Sequence, residues 1–190
     1  MKTQKEIMDY FKEYKDGTII FYDSIDDYIV SRFLINQGFL REGLIFGCQS
    51  IEKMLKSFIL LIKKKISKKN NLSHNPFDLK EELKENFSLN LEKYNDLLKR
   101  LFGHYQSRYM DNSNQVTFKK SWELKEIDEL YLYLLENLPL ISEIKYKARF
   151  FQYLFSKHSQ DNYSEALKEH NDLLKKKIPE FKVKWETLSE

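Results

Sequence analysis

Leu44, Cys48, Ile51, Leu55, Phe58 and Ile62 recur at alternating intervals of four and three residues without a break. That alternation follows the 3.6-residue helical repeat and lays one apolar seam along one face of a helix. A strand would show period two instead. A seam this long predicts a helix starting near Arg41 and packed lengthwise against neighbours. Gly43 and Gly47 lie four apart on one of its faces and would let a second backbone come close. Glu52, Lys53 and Lys56 are expected on its other faces.

The flanking segments read as further helices. Residues 1–17 are charged and weakly periodic, and Gly17 is expected to end them. Thr18 to Tyr22 reads as a packed, extended lead-in. Ser24 resembles an N-cap, followed by Ile25, Ile29 and Phe33 at spacings of four in a helix to about Gly38. A polar break from Ser67 reaches Asn75-Pro76, which marks the start of a short helix. A third long helix is expected from about Leu91 to Met110. Another holds Ile127, Leu130, Leu134 and Leu138, with a kink or turn at Pro139 and more helix to Leu154. The last is expected over Tyr163 to Lys177, carrying a packed His170 and ending at Pro179. These elements imply an all-α, antiparallel up-down helical bundle with a C-terminal helical extension. The expected divisions are a lead-in at 1–18, a bundle at 19–157 and an extension at 158–190, packed on the bundle.

Composition narrows the function classes. Gly and Pro number only 5 and 3 in 190 residues, which favours long helices. The net charge of +3 is too small to announce a nucleic-acid binder by itself, although lysines cluster at 63–65, 68–69 and 175–177. Cys48, the single cysteine, excludes an intrachain disulfide and a cysteine-rich zinc site, and its place on the seam makes it a core residue. No glycine-rich phosphate loop, Glu-x-x-His pair or nucleophile elbow is present. No metal or cofactor is therefore expected. The longest run of large apolar residues, Phe58 to Ile62, is too short to span a bilayer, and the N-terminus has no signal-peptide core. A cytoplasmic protein without membrane association is the expectation.

One constellation stands apart. Arg100, His104 and Arg108 are spaced by four on the third long helix. With about 100° per residue and Leu101 at the centre of the core face, Arg108 falls about 20° from that centre and His104 about 60°. A guanidinium cannot be buried unpaired. Arg108 is expected to meet a carboxylate, to leave the core at the helix end, or to line a groove.

The run from Gly43 to Lys56, with its apolar-Glu-Lys-x-x-Lys ending, resembles the second helix of HEPN domains (higher eukaryotes and prokaryotes nucleotide-binding). His74, followed by Phe77-Asp78-Leu79, is similar to the family's His and short helix. Tyr105-Gln106-Ser107-Arg108-Tyr109 is similar to its Tyr-x-x-Arg-Tyr element. The resemblance covers about residues 19–157 and points to the type associated with minimal nucleotidyltransferases. It implies a dimeric helical bundle with a nucleotide- or RNA-linked role, in an accessory, toxin–antitoxin or defence setting beside a nucleotidyltransferase partner. It marks His74, Tyr105, Arg108 and Tyr109 as ligand-binding candidates.

Other members of this family are metal-independent ribonucleases with an Arg followed four to six residues later by His. Here Arg100 and His104 have three residues between them, and they are the catalytic candidates of a divergent endoribonuclease. A helical protein-interaction module without a nucleotide role is the third alternative. The long seam and the glycine pair also suggest self-association, so a homodimer is expected.

Overall fold

The computed structural model describes residues 15–63, 74–84, 89–108, 120–139, 149–155 and 161–187. Among them the architecture is all-α, an antiparallel helical bundle with no strand. The helices are α1 (Lys15–Asn36), α2 (Leu40–Lys63), α3 (Pro76–Lys84), α4 (Asn95–Gln106), α5 (Lys120–Asn137), α6 (Arg149–Phe155), α7 (Asp161–Lys168) and α8 (Asp172–Thr187). A single 3-10 turn, Glu92–Tyr94, leads into α4.

The long seam belongs to α2, the central helix. Leu44, Cys48, Ile51, Leu55 and Phe58 are all buried, and Ile62 is half-buried at the end. Ser50, Glu52, Lys56 and Ser57 are buried as well, so α2 is covered almost all round. Glu52 and Lys56, expected on faces other than the seam, are buried too.

Helix α1 starts earlier than its sequence suggests. Gly17 and the Thr18–Tyr22 stretch are helical, and Ser24 lies within the helix, donating to the Phe21 carbonyl at 2.7 Å. The buried stripe runs Thr18, Phe21, Ile25, Tyr28, Arg32, Ile35, at helical spacing from its first member. Polar and small residues at several of its positions disguise the period. Helix α1 ends in a Schellman motif: Phe39 N–H reaches the Leu34 carbonyl at 2.8 Å and Gly38 N–H the Ile35 carbonyl at 3.1 Å. Gly38 takes φ +90°, a conformation glycine adopts at little cost.

The turn folds α1 back along α2, and small residues set their separation. A Cβ on Gly43 would stand 2.5 Å from Ile35 Cγ1 and 3.0 Å from the Ser31 carbonyl oxygen. A Cβ on Gly47 would stand 3.0 Å from Ser31 Oγ. Ser31 Oγ donates to the Gly43 carbonyl at 2.7 Å, and Ser50 Oγ to the Ser24 carbonyl at 2.9 Å. The glycine notch is thus filled by this chain's own α1.

The Asn75-Pro76 signature holds. Pro76 opens α3, and Asn75 Oδ1 accepts from Phe77 N–H at 3.0 Å. Helix α5 ends at Asn137, before Pro139. The expected last helix is two. It breaks at Glu169–Asn171, where His170 takes φ 51° and stands exposed rather than packed. Asn171 Oδ1 then accepts from Leu174 N–H at 2.9 Å and starts α8. Pro179 lies inside α8 instead of ending it. The expected segments 1–14, 64–73 and 109–119, with the lysines at 64, 65, 68 and 69, lie outside the described residues.

A buried polar centre joins the C-terminal helices to the bundle. Arg32 is 0% exposed. Its guanidinium pairs with Asp128 of α5, donates from Nε to the Ala166 carbonyl at 2.9 Å and donates to the Glu169 carbonyl. It thereby satisfies carbonyls at the end of α7, groups a helix leaves without internal donors. Tyr28 donates to Asp128 Oδ1 at 2.6 Å and stacks on Tyr131 with ring centroids 3.8 Å apart. Leu167, Leu174 and Phe181 add buried apolar area, with Phe181 edge-on to Phe151 of α6.

Candidate functional site

Three separate segments bring side chains together beside α2. Cys48, Glu52 and Lys56 follow one another at spacings of four, so they share a stripe of that helix. The Glu52 carboxylate is 5% exposed and held on both oxygens. Lys56 Nζ lies 2.8 Å from Oε1, and His74 Nδ1 lies 3.1 Å from Oε2. His74 arrives there because Asn75 and Pro76 start α3 immediately after it.

The other side of the cluster comes from the end of α4. Tyr105 lies in its last turn, and its ring centroid is 5.0 Å from that of His74. Arg108 follows in the turn after α4 and lays its guanidinium over the same ring, 3.7 Å from the centroid. At that distance a cation is attracted by the ring face. Arg108 Nε also donates to the Tyr105 carbonyl at 3.3 Å. The turn is anchored from α2, where Arg41 Nη2 donates to the Ser107 carbonyl at 2.7 Å.

Helix α4 ends at Gln106, so the angular position projected for Arg108 on a longer helix does not apply. Arg108 is exposed and does not sit within the apolar stripe. Of the three expectations for it, emergence at the helix end is what the fold produces. Tyr109, the remaining ligand-binding candidate, lies outside the described residues.

Arg100 and His104 go elsewhere. Arg100 pairs with Glu126 of α5, and its Nε lies 3.8 Å from Glu123. His104 is 0% exposed, with Nε2 3.5 Å from Glu123 Oε1. These two residues bind α4 to α5, and no solvent face of His104 is left for a substrate. The stripe of spacing four therefore divides, two members turning to α5 and the third to Tyr105.

Electrostatics add a further distinction. Burial first, and the Glu52 charge second, push the Cys48 thiol up, while Arg108 opposes them. The thiol stays protonated and is a core group rather than a nucleophile. Glu52, Lys56 and Arg41 are the residues sequence reasoning missed. Glu52 and Lys56 continue the stripe begun by Cys48, but a charged pair on a helix ordinarily faces solvent, so spacing alone does not mark them as buried.

A concavity of about 260 Å³ opens elsewhere, beside α3, and is lined by Lys80, Leu83 and Leu91 among others. Its two lysines, Lys80 and Lys84, both pair with Glu92, at 3.0 and 3.2 Å. Among the described residues no group of His, Cys, Asp and Glu is placed to hold a metal ion, and no helix is long and apolar enough to cross a membrane. Comparison with family models, curated protein sequences and solved structures returns no match for this chain.

Proposed function

We propose that this chain is a HEPN-like module that binds a nucleotide or RNA through the surface around Arg108. In this reading it is an accessory, toxin–antitoxin or defence component that works beside a nucleotidyltransferase partner, as a homodimer. The observation that carries the reading is the convergence of His74, Tyr105 and Arg108 on one ring. These are residues the family resemblance marks, and they come from segments separated by some thirty residues of sequence. An exposed arginine held by an aromatic face suits phosphate recognition, since its fork of N–H donors matches phosphate oxygens. The ribonuclease alternative draws no support from Arg100 and His104, both engaged with α5.

The test is equilibrium binding of short RNAs and of mononucleotides to the wild-type protein across a salt series, followed by fluorescence anisotropy and calorimetry. The expected result is binding that weakens as salt rises, because phosphate contacts release counterions. Failure to bind either ligand class at low salt would contradict the proposal.

A helical protein-interaction module is the second reading, and Phe33 and Phe39 favour it. They flank the α1–α2 turn and are 49% and 58% exposed. Wild-type protein that binds neither RNA nor nucleotides, yet loses self-association on Phe33→Ser with Phe39→Ser, would move the conclusion to this reading.

A further inference from the structure

We infer that the outer side of the α1–α2 pair is a docking groove for one basic, amphipathic helix of a partner protein. The groove lies about 100° round α2 from the stripe of Glu52, and so is independent of the nucleotide- or RNA-linked surface.

The residues of the groove repeat by seven. Ile20, Asp27 and Leu34 do so along α1, and Phe46, Lys53 and Leu60 along α2. A repeat of seven keeps nearly the same bearing on a helix, because two turns take about 7.2 residues. Two contacts fix the register of this antiparallel pair. Lys53 Nζ lies 2.7 Å from Asp27 Oδ2, and a Cβ on Gly17 would stand 3.3 Å from Leu60 Cβ. Seven residues to either side of the ion pair, Leu34 then stands level with Phe46, and Ile20 with Leu60. The result is a straight channel with apolar ends and an ion pair at its middle.

This channel is separate from the core. Ile20, Leu34, Phe46 and Leu60 are half-buried, and among the described residues none of them belongs to the interior apolar cluster or packs on it. Phe39, a further seven before Phe46, is 58% exposed at the α1–α2 turn. From Ile20 to Leu34 the channel runs about 21 Å, the length of about four helical turns. Apolar residues repeating by seven are what a helix laid along it needs beneath it.

Charge selects the occupant. On α1, Asp16 and Asp23 lie within about 40° of the Asp27 bearing, and on α2 Glu42 lies within about 20° of Lys53. All three carboxylates are exposed, and none makes an ion pair among the described residues. Asp27 is matched by Lys53. The channel is therefore apolar along its floor and acidic beside it. In paired helices the charges flanking the apolar seam choose the partner. A helix carrying lysine or arginine beside its apolar stripe meets these carboxylates favourably. A second copy of this face would set like charges against one another. The homodimer proposed above would thus use another surface.

The experiment titrates two synthetic helical peptides into the full chain by fluorescence anisotropy. They share one leucine stripe, flanked in the first by lysine and in the second by glutamate. The lysine-flanked peptide should bind roughly tenfold or more tightly than the other, and lose that lead as salt rises. Phe46→Ser should weaken it by a similar factor while the urea midpoint stays near wild type. The double swap Asp23→Lys with Glu42→Lys should reverse the preference. Should Phe46→Ser fail to fold, the swap at exposed positions decides the matter. Equal binding of the two peptides, a preference that the swap leaves unchanged, or no binding of either overturns the inference. Dimeric wild-type protein that Phe46→Ser turns monomeric overturns it as well, and gives the face to a second copy. Binding of RNA or nucleotides at the Arg108 surface is untouched by any of these outcomes.

Discussion

Two arginines in this molecule each lie against a tyrosine, and their surroundings are opposite. Arg32 is fully buried 5.9 Å from the Tyr28 ring centroid, and its guanidinium meets the Asp128 carboxylate and the carbonyls of Ala166 and Glu169. Arg108 lies at the exposed end of α4, its guanidinium 3.7 Å over the Tyr105 ring. A guanidinium in the interior has to be matched by acceptors, because water cannot reach it. One at the surface, steadied by an aromatic face, keeps its directionality while facing outward. The first kind organises a fold, and the second is suited to an anion that arrives from outside. The difference lies in what surrounds the side chain, since the residue type is the same.

The contrast is most sharply broken at Arg32. Arg32→Ala leaves Asp128 buried without its cation and should cost about 3–5 kcal/mol in urea unfolding. Hydrogen exchange should show α7 and α8 losing protection, since Arg32 satisfies the carbonyls that end α7. If Arg32→Ala unfolds at the wild-type urea midpoint, the buried centre does not hold the C-terminal helices.

A smaller effect is expected at the α1–α2 contact. Gly43→Ala puts a methyl 2.5 Å from Ile35 Cγ1 and 3.0 Å from a backbone oxygen. Overpacking of about 1–3 kcal/mol should outweigh the roughly 1 kcal/mol helix preference of Ala over Gly. Gly103→Ala, where a Cβ meets nothing within 4 Å, is the internal control and should stabilise.

Smaller again is the acid response at Glu92. Hydrogen bonds from Lys80 first, then Asn95 and Lys84, hold its carboxyl at about 2, below the ordinary 4.5. A depressed folded-state value means stabilisation that is present above about 4.5 and lost as the pH falls toward 2. Glu92→Gln should flatten thermal stability against pH across that window. An identical slope in both proteins would show that the lysine pair contributes nothing there. At this exposed position the difference should be the least of the three.

These regions also differ in how far the sequence revealed them. The α2 seam and the Asn75-Pro76 helix start were legible because apolar period and capping chemistry are local. Helix α1 is longer than its sequence suggests, since Thr18 to Tyr22 looks extended in isolation and Ser24, Ser31 and Arg32 place polar groups on its buried side. Each makes sense only against a partner: the serines against backbone carbonyls or small residues, and Arg32 against Asp128, 96 positions away. Pro179 looks like a stop, yet α8 carries it, and the break falls at His170, where Asn171 supplies a new cap. Around the candidate site, the family resemblance singles out His74, Tyr105 and Arg108, and the fold sets His74 and Arg108 against the Tyr105 ring. The burial of Glu52 and Lys56 was not legible, because a charged pair on a helix ordinarily faces solvent and only the packing of His74 and α4 makes an exception. The place of Arg108 depended on where α4 stops, a boundary that periodicity alone fixes poorly.

Arg108→Ala, with unfolding and binding measured on the same preparation, goes most directly to the division between the two arginines. The urea midpoint should stay within about 0.5 kcal/mol of wild type, as for a surface position. Affinity for the bound RNA or nucleotide should fall roughly tenfold or more. Salt dependence should weaken by about one phosphate contact. A variant that loses several kcal/mol of stability, or one that binds as tightly as wild type, would contradict the assignment of Arg108 as the ligand-facing member of the pair.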